Sequence, residues 1–304
     1  MREEDFPCLG EPERPITEDL CRNAGARYTS VFSKAEDMVR AAFEVKRLNR
    51  DVWVKLPFCV TIEAEALGAE VSLNSLYGVP AVTRFRYERL ADIEELPHLD
   101  FSQGRLAEVL RAAAILQAQG ENIMLNIEGP FTVLGQLISA KEIYKGLYRQ
   151  PGKLHQICAR IGKELARYAQ EAECHGVSLL SYADPTVASS LVSPQIYQQI
   201  CGRISWEVLK EMEAATQRVA IHLCNVTSVG FEKAGFCTSD KISFIGPQLT
   251  YGEALLEAIH KSHHGRFWGH GCVQRSYSPL CNGGVYQLQL RDSLADEEER
   301  DYGN

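Results

Sequence analysis

The sequence predicts an α/β chain built as a (β/α)8 TIM-type barrel in which one βα unit is shortened. Three observations point there. Short apolar strands alternate with long amphipathic helices, the pattern of a parallel sheet covered by helices. The 304 residues suffice for one large barrel-type domain. No GxGxxG opens a helix after the first strand, which removes the usual dinucleotide-binding alternative.

Residues 1–30 carry Pro7, Pro12 and Pro15 with little periodicity and read as an irregular arm. Ser33 and Glu36 make a capping-box pair, and behind them Met38, Ala41, Ala42 and Val45 share one helical face. VWVKLP (52–57) reads as a strand ended by Pro57. A helix follows over 104–119 on Leu106, Val109, Leu110 and Ala113, then Gly120 and the strand NIMLNIEGP (122–130). Leu154, Ile157, Ile161, Leu165 and Tyr168 stripe a long helix ending near Gly176, before the strand VSLLSYADP (177–185). Ser193-Pro194 starts a helix to about 217, since a capping hydroxyl precedes proline at the first helical position. VAIHLCN (219–225), ISFIGP (242–247) and RFWGHG (266–271) are further strands, and Thr250 with Glu253 caps a helix reaching His260. AVTRFRY (81–87) and VYQLQL (285–290) are candidates for the two strands needed to complete eight. The barrel is assigned to residues 31–290, and residues 291–304 to an acidic, solvated tail.

Lys and Arg number 32 against 40 Asp and Glu, a formal net charge of -8 that repels phosphate backbones, so nucleic acid is not an expected partner. No stretch approaches the roughly 20 apolar residues of a membrane span, and the acidic start lacks a secretion signal's apolar core. A cytoplasmic protein without a membrane partner is expected. Its ten cysteines are scattered without the spacing of a disulfide scaffold, so most read as buried thiols.

In a barrel of this type the chemistry sits at the C-terminal ends of the strands. Those ends carry Cys59, Glu128, Asp184, His222 with Cys224, and His270 with Cys272. His222 and Cys224, two apart on a strand, project to the same face. Cys272 ends another strand and can add a third ligand, with Cys281 and Cys237 as competitors for that position. One imidazole and two thiolates suit Zn²⁺ and leave a fourth position open, as in a catalytic site. The same three residues read equally well as buried core. Asp184 before Pro185 can orient a substrate or make a turn, and Glu63 and Glu65 can approach a ligand or cap a helix start. His263-His264 reads as exposed loop, and Cys8, Cys21, Cys158, Cys174 and Cys201 as passive thiols.

PFCVTIEAEALGAEV (57–71), NIEGPFTVLGQLI (126–138), SYADPTVASSLVSP (181–194), IHLC (221–224) and GHGC (269–272) together resemble the uroporphyrinogen decarboxylase superfamily. The blocks look like its zinc-dependent branch, the methylcobamide:coenzyme M methyltransferases, over roughly residues 20–280. The resemblance implies a (β/α)8 barrel holding zinc through His222, Cys224 and Cys272. It implies methyl transfer between a methylcobamide, carried on a corrinoid protein, and a small thiol or folate-type acceptor. Asp184, Glu128 and Tyr182 are the catalytic candidates, with Tyr182 facing either the corrin or the core. Two alternatives remain: a uroporphyrinogen-type decarboxylase, faintly echoed by Arg22 and Arg27, and a non-catalytic barrel that binds zinc or a corrinoid protein. Asn225 stands where the branch usually has glycine, and the segment between Cys224 and Ile242 is short.

Overall fold

The structure, a computed structural model, describes residues 16–74, 78–244, 248–262, 265–280 and 283–294. Its frame is a parallel run of five strands: β1 (Val54–Leu56), then β4 (Ile123–Glu128), β5 (Leu179–Ala183), β6 (Ala220–Leu223) and β8 (Phe267–Gly269). These strands read as largely apolar runs because both of their faces are covered. Register places Asn126, Ser181, His222 and Trp268 side by side across four strands.

The helix-covered outer face carries Leu125, Ile127, Leu180, Tyr182, Ile221 and Leu223, all in the main core. Four helices lie over it: α2 (Ala35–Asn49), α4 (Gly104–Ala118), α7 (Pro151–Cys174) and α9 (Gly202–Ala215). The shorter α1 (Glu18–Asn23), α3 (Ile62–Ala66), α5 (Pro130–Leu137), α6 (Ala140–Arg149), α8 (Pro194–Ile196) and α10 (Asn225–Lys233) sit between these elements in the chain. The opposite, inner face carries Met124, Leu179, Ala220 and Trp268. A second core forms there against Trp53 and against Ala254, Leu255 and Ala258 of α11 (Tyr251–Lys261). The fold class is therefore α/β with a parallel central sheet, as the alternation of elements predicts.

The remaining strands depart from the simple alternation. β3 (Ala81–Arg84) pairs antiparallel with β2 (Glu70–Ser72) in a separate two-stranded sheet. β9 (Gly284–Leu290) does join the central sheet, but antiparallel, beside β8. β7 (Cys237–Ser243) overlaps the start of the predicted 242–247 strand, whose residues 245–247 lie outside the described ones, and pairs antiparallel with β9 at the far end. Its exposed Thr238 and Asp240 on one face and Lys241 and Ser243 on the other break the apolar pattern, which is why most of it does not read as a strand from sequence. Among the described residues no ladder joins β7 to β1. β8 pairs directly with β6, with no further strand between them.

Three local predictions change. The arm expected to be irregular contains α1, started by Thr17, whose hydroxyl accepts the Leu20 N–H. Ser33 does not cap α2; Glu108 of α4 accepts the Ala35 N–H at 2.7 Å instead. The helix begun by Ser193 is interrupted by a π turn over Tyr197–Cys201 before α9. The Thr250–Glu253 box forms as read. No helix among the described residues is long and apolar enough to cross a membrane. Cys8, Cys281, His263-His264 and most of the acidic tail lie outside the described residues.

Candidate functional site

His222 is the third residue of β6 and shares the inner face with Ala220 and Trp268. Its ring is fully buried, and burial lowers its pKa to about 3, so the imidazole is neutral at physiological pH. Nε2 lies 2.7 Å from the hydroxyl of Tyr251, the first residue of α11, while the buried Nδ1 has no hydrogen-bond partner among the described residues. Cys224 follows the strand, its Sγ 3.1 Å from Thr227 Oγ1 on the first turn of α10. Cys272 comes three residues after β8, beside Tyr251, whose phenol is pushed toward higher pKa by burial first and by Cys272 second.

The turn carrying Cys272 is unusual. His270 has φ 53°, in the left-handed region that side chains rarely adopt. Ser228 of α10 holds it there, donating or accepting at His270 Nδ1 (3.1 Å) and accepting the His270 N–H (2.9 Å). The turn thus ties the β8 end to the helix that follows Cys224. The Tyr251 hydroxyl therefore has the His222 ring on one side and the half-buried Cys272 thiol nearby, while the Cys224 thiol sits against Thr227 and near Tyr182 and Tyr197. Among the described residues, no three His, Cys, Asp or Glu side chains stand as a ready-made metal cluster. The donors are nonetheless the right kind for a borderline-soft metal, and a buried imidazole nitrogen without a partner is the atom such a metal would satisfy.

The carboxyl groups gather on the other side, at the ends of β4 and β5. Glu63 of α3 is buried and accepts the Glu128 N–H at 3.2 Å; burial pushes its pKa up to about 7. Glu128 is buried too, and desolvation, then Glu63 and Asp184, push its carboxyl well above the usual range. Burial thus disfavours the charged form of both carboxyls. Asp184 is held differently. It accepts from Phe131 N–H (3.2 Å), Thr132 N–H (2.8 Å) and the Thr132 hydroxyl (2.7 Å), capping α5 from a neighbouring strand. Its pKa still rises to about 6 through burial. Its position reads as a structural cap of α5, with one further acceptor site left on Oδ2.

Tyr182 is a correction. Strand alternation turns it to the helix side, where it is fully buried in the main core rather than facing the site. Glu65 lies outside the carboxyl pair and bonds Arg105 at 3.0 Å. Arg105, which the sequence reading did not single out, also donates to Cys59 Sγ at 2.7 Å and to Phe32 O. Tyr251 was also missed. Its capping box was legible, but its aim at His222 depends on where α11 docks.

Comparison with known proteins bears on this arrangement. The profile of the family described as uroporphyrinogen decarboxylase (URO-D) matches residues 7–244. The methylcobamide:CoM methyltransferase MtaA of Methanosarcina barkeri (strain Fusaro / DSM 804) is 25% identical over 236 residues, 74% of this chain and 68% of its own. The methylcobamide:CoM methyltransferase MtbA of Methanosarcina mazei is 23% identical over 213 residues, 68% of this chain and 62% of its own. A solved structure of a methyltransferase from Methanosarcina mazei shares the fold, with a TM-score of 0.64 and 24% identity over 76% of this chain and 70% of that one. With its profile matched from residue 7 to residue 244, well over half its length, the chain belongs to the uroporphyrinogen decarboxylase family.

Proposed function

We propose that this protein is a corrinoid-dependent methyltransferase, moving a methyl group between a methylcobamide on a corrinoid protein and a small thiol acceptor, at a zinc site held by His222, Cys224 and Cys272. The observation that carries the reading is the inner-face placement of the neutral His222 ring. Its bare Nδ1 lies at a strand end flanked by two thiol-bearing segments. Relatives named methylcobamide:CoM methyltransferase support the reaction class. Zinc, when bound, would hold the acceptor sulfur as a thiolate, the form that attacks a methyl group.

The chain's own residues supply position and proton control. In the transfer a sulfur–carbon bond forms, the carbon–cobalt bond breaks with its electron pair left on cobalt, and the acceptor's thiol proton must go to a base. Glu63, whose pKa burial raises to about 7, accepts the backbone N–H of the buried Glu128 at the end of β4, two strands from His222, and is the chain's candidate for that proton. Decarboxylation finds less support: Arg22, one of the two arginines that echo that chemistry, is exposed and paired with Asp19.

An anaerobic assay of the zinc-loaded protein with free methylcobalamin and a panel of thiols tests the proposal. Demethylation followed by cobalamin absorbance is expected, with loss of both zinc and turnover in Cys272→Ser. Stoichiometric zinc without methyl transfer to any thiol or folate acceptor overturns the enzymatic reading.

A further inference from the structure

We infer that Tyr251 is a positioning residue: its hydroxyl fixes His222 as the Nε2–H tautomer and so leaves Nδ1 as the ring's ligating atom. The inference rests on the metal reading above and adds a residue and an atom to it. Three polar groups form a line. The His222 Nε2 and Tyr251 Oη lie 2.7 Å apart, and the Tyr251 hydroxyl donates to the Gly269 carbonyl at 3.5 Å. A hydroxyl has one proton to give. If that proton goes to Gly269, the hydroxyl oxygen accepts from the ring, Nε2 carries the hydrogen, and Nδ1 keeps its lone pair.

The opposite polarity leaves a worse structure. Were Tyr251 to donate to Nε2, the Gly269 contact would lose its proton. Nδ1 would then carry an N–H with no acceptor, inside a fully buried environment. A doubly protonated ring would bury the same orphan donor together with a charge. The assigned tautomer instead leaves a bare acceptor, and an unsatisfied imidazole lone pair is what a metal completes. Histidines that ligate metals usually donate their other ring N–H to a fixed oxygen, which sets the tautomer and the ring orientation.

The chain builds this contact from several directions. The capping box of Thr250 and Glu253 fixes where α11 begins. Tyr251 and Gly252 donate their N–H groups to Ser278 O (2.9 Å) and Ser276 O (2.7 Å), which hang the helix start on the loop after β8. Gly271 packs its bare Cα against the Tyr251 ring, so any Cβ there would collide with the ring carbon bearing the hydroxyl and with the hydroxyl itself. The GHGC segment thus presses the phenol toward His222 through one glycine while carrying Cys272 past it.

The test uses the full chain with ¹⁵N-labelled histidine, first free of metal. Long-range ¹H–¹⁵N spectra should show His222 protonated at Nε2 and bare at Nδ1. Added zinc should move the Nδ1 resonance and leave the Nε2 proton in place. Tyr251→Phe should exchange the Nε2 proton with water faster and bind zinc about tenfold more weakly, against a chromophoric chelator. Gly271→Ala, which keeps the hydroxyl but displaces the ring, should do the same, with unfolding temperature recorded for both variants. A wild-type protein protonated at Nδ1, or zinc contact at Nε2, overturns the proposal. So does a Tyr251→Phe variant with unchanged proton exchange and zinc affinity. Failure of the wild type to take up zinc overturns the metal reading itself. The two failures are distinguishable because the tautomer is read before any metal is added.

Discussion

Asp184, after β5, and Glu63, on α3, are both buried carboxyls, and the structure holds them by different means. Asp184 accepts three hydrogen bonds from the first turn of α5, and Gly129 before that helix has no side chain because a Cβ there would lie 2.5 Å from the Asp184 carboxyl. Asp184→Ala should therefore lose about 1–2 kcal/mol, the usual worth of an N-cap, measured by urea unfolding. Glu63 accepts the Glu128 N–H, and burial raises its pKa from 4.5 to about 7. A carboxyl raised in this way binds more protons folded than unfolded between those two values, so its contribution to stability falls as pH rises through that window. His222, lowered from 6.5 to about 3, acts in the opposite sense, favouring the folded state as pH rises between those values. Glu63→Gln should gain stability over wild type progressively from pH 4.5 to 7, by at most about 3 kcal/mol. Melting temperatures of both proteins across that range measure it, and a constant difference would remove the proton from Glu63.

Helices in this chain meet closely enough for single atoms to decide stability. Gly162 on α7 faces Val208 on α9, and a Cβ at that glycine would run into the valine methyl. Gly162→Ala should cost about 1–3 kcal/mol through overpacking, despite alanine's better helix propensity. Adding Val208→Ala should recover part of that loss; additive losses in the double mutant would mean the two residues do not compete for space. The stripe of α7 was legible because Leu154, Ile157, Ile161 and Leu165 repeat at helical spacing. Other element boundaries were not local properties. The start of α2 takes its cap from Glu108, 73 residues away, so no nearby pair in the sequence could reveal it.

Across the whole molecule, the edge of the sheet at β1 is held by side chains. Lys55 on β1 is 4% exposed and pairs with Asp51 at 3.2 Å while donating to Gln274 O at 3.1 Å. Asp51 also accepts from Ser276 and from the Trp53 N–H, and Gln274 bonds Asn126 at 2.8 Å. This network fastens the loop after β8 to β1 and β4, where no ladder among the described residues does so. Lys55→Met should leave Asp51 buried without its cation and cost about 3–5 kcal/mol in chemical denaturation. Lys55→Met with Asp51→Asn should be closer to wild type than the single substitution.

What the sequence by itself determined was the set of local patterns that do not depend on distant partners. Apolar runs placed β1, β4, β5, β6 and β8, because a strand buried on both faces is largely apolar. The His-x-Cys spacing put His222 on a defined face, because strand side chains alternate with a period of two. The same rule, applied to Tyr182, would have turned that residue away from His222's side once Ser181 was paired with His222. Only the tertiary structure decided the rest. β7 and β9 turn antiparallel, Asp184 becomes the cap of another helix, and α11 lies across the inner face with Tyr251 against His222. Each of these joins residues far apart in the chain, and their contact follows from how whole elements pack rather than from any residue's neighbours in sequence.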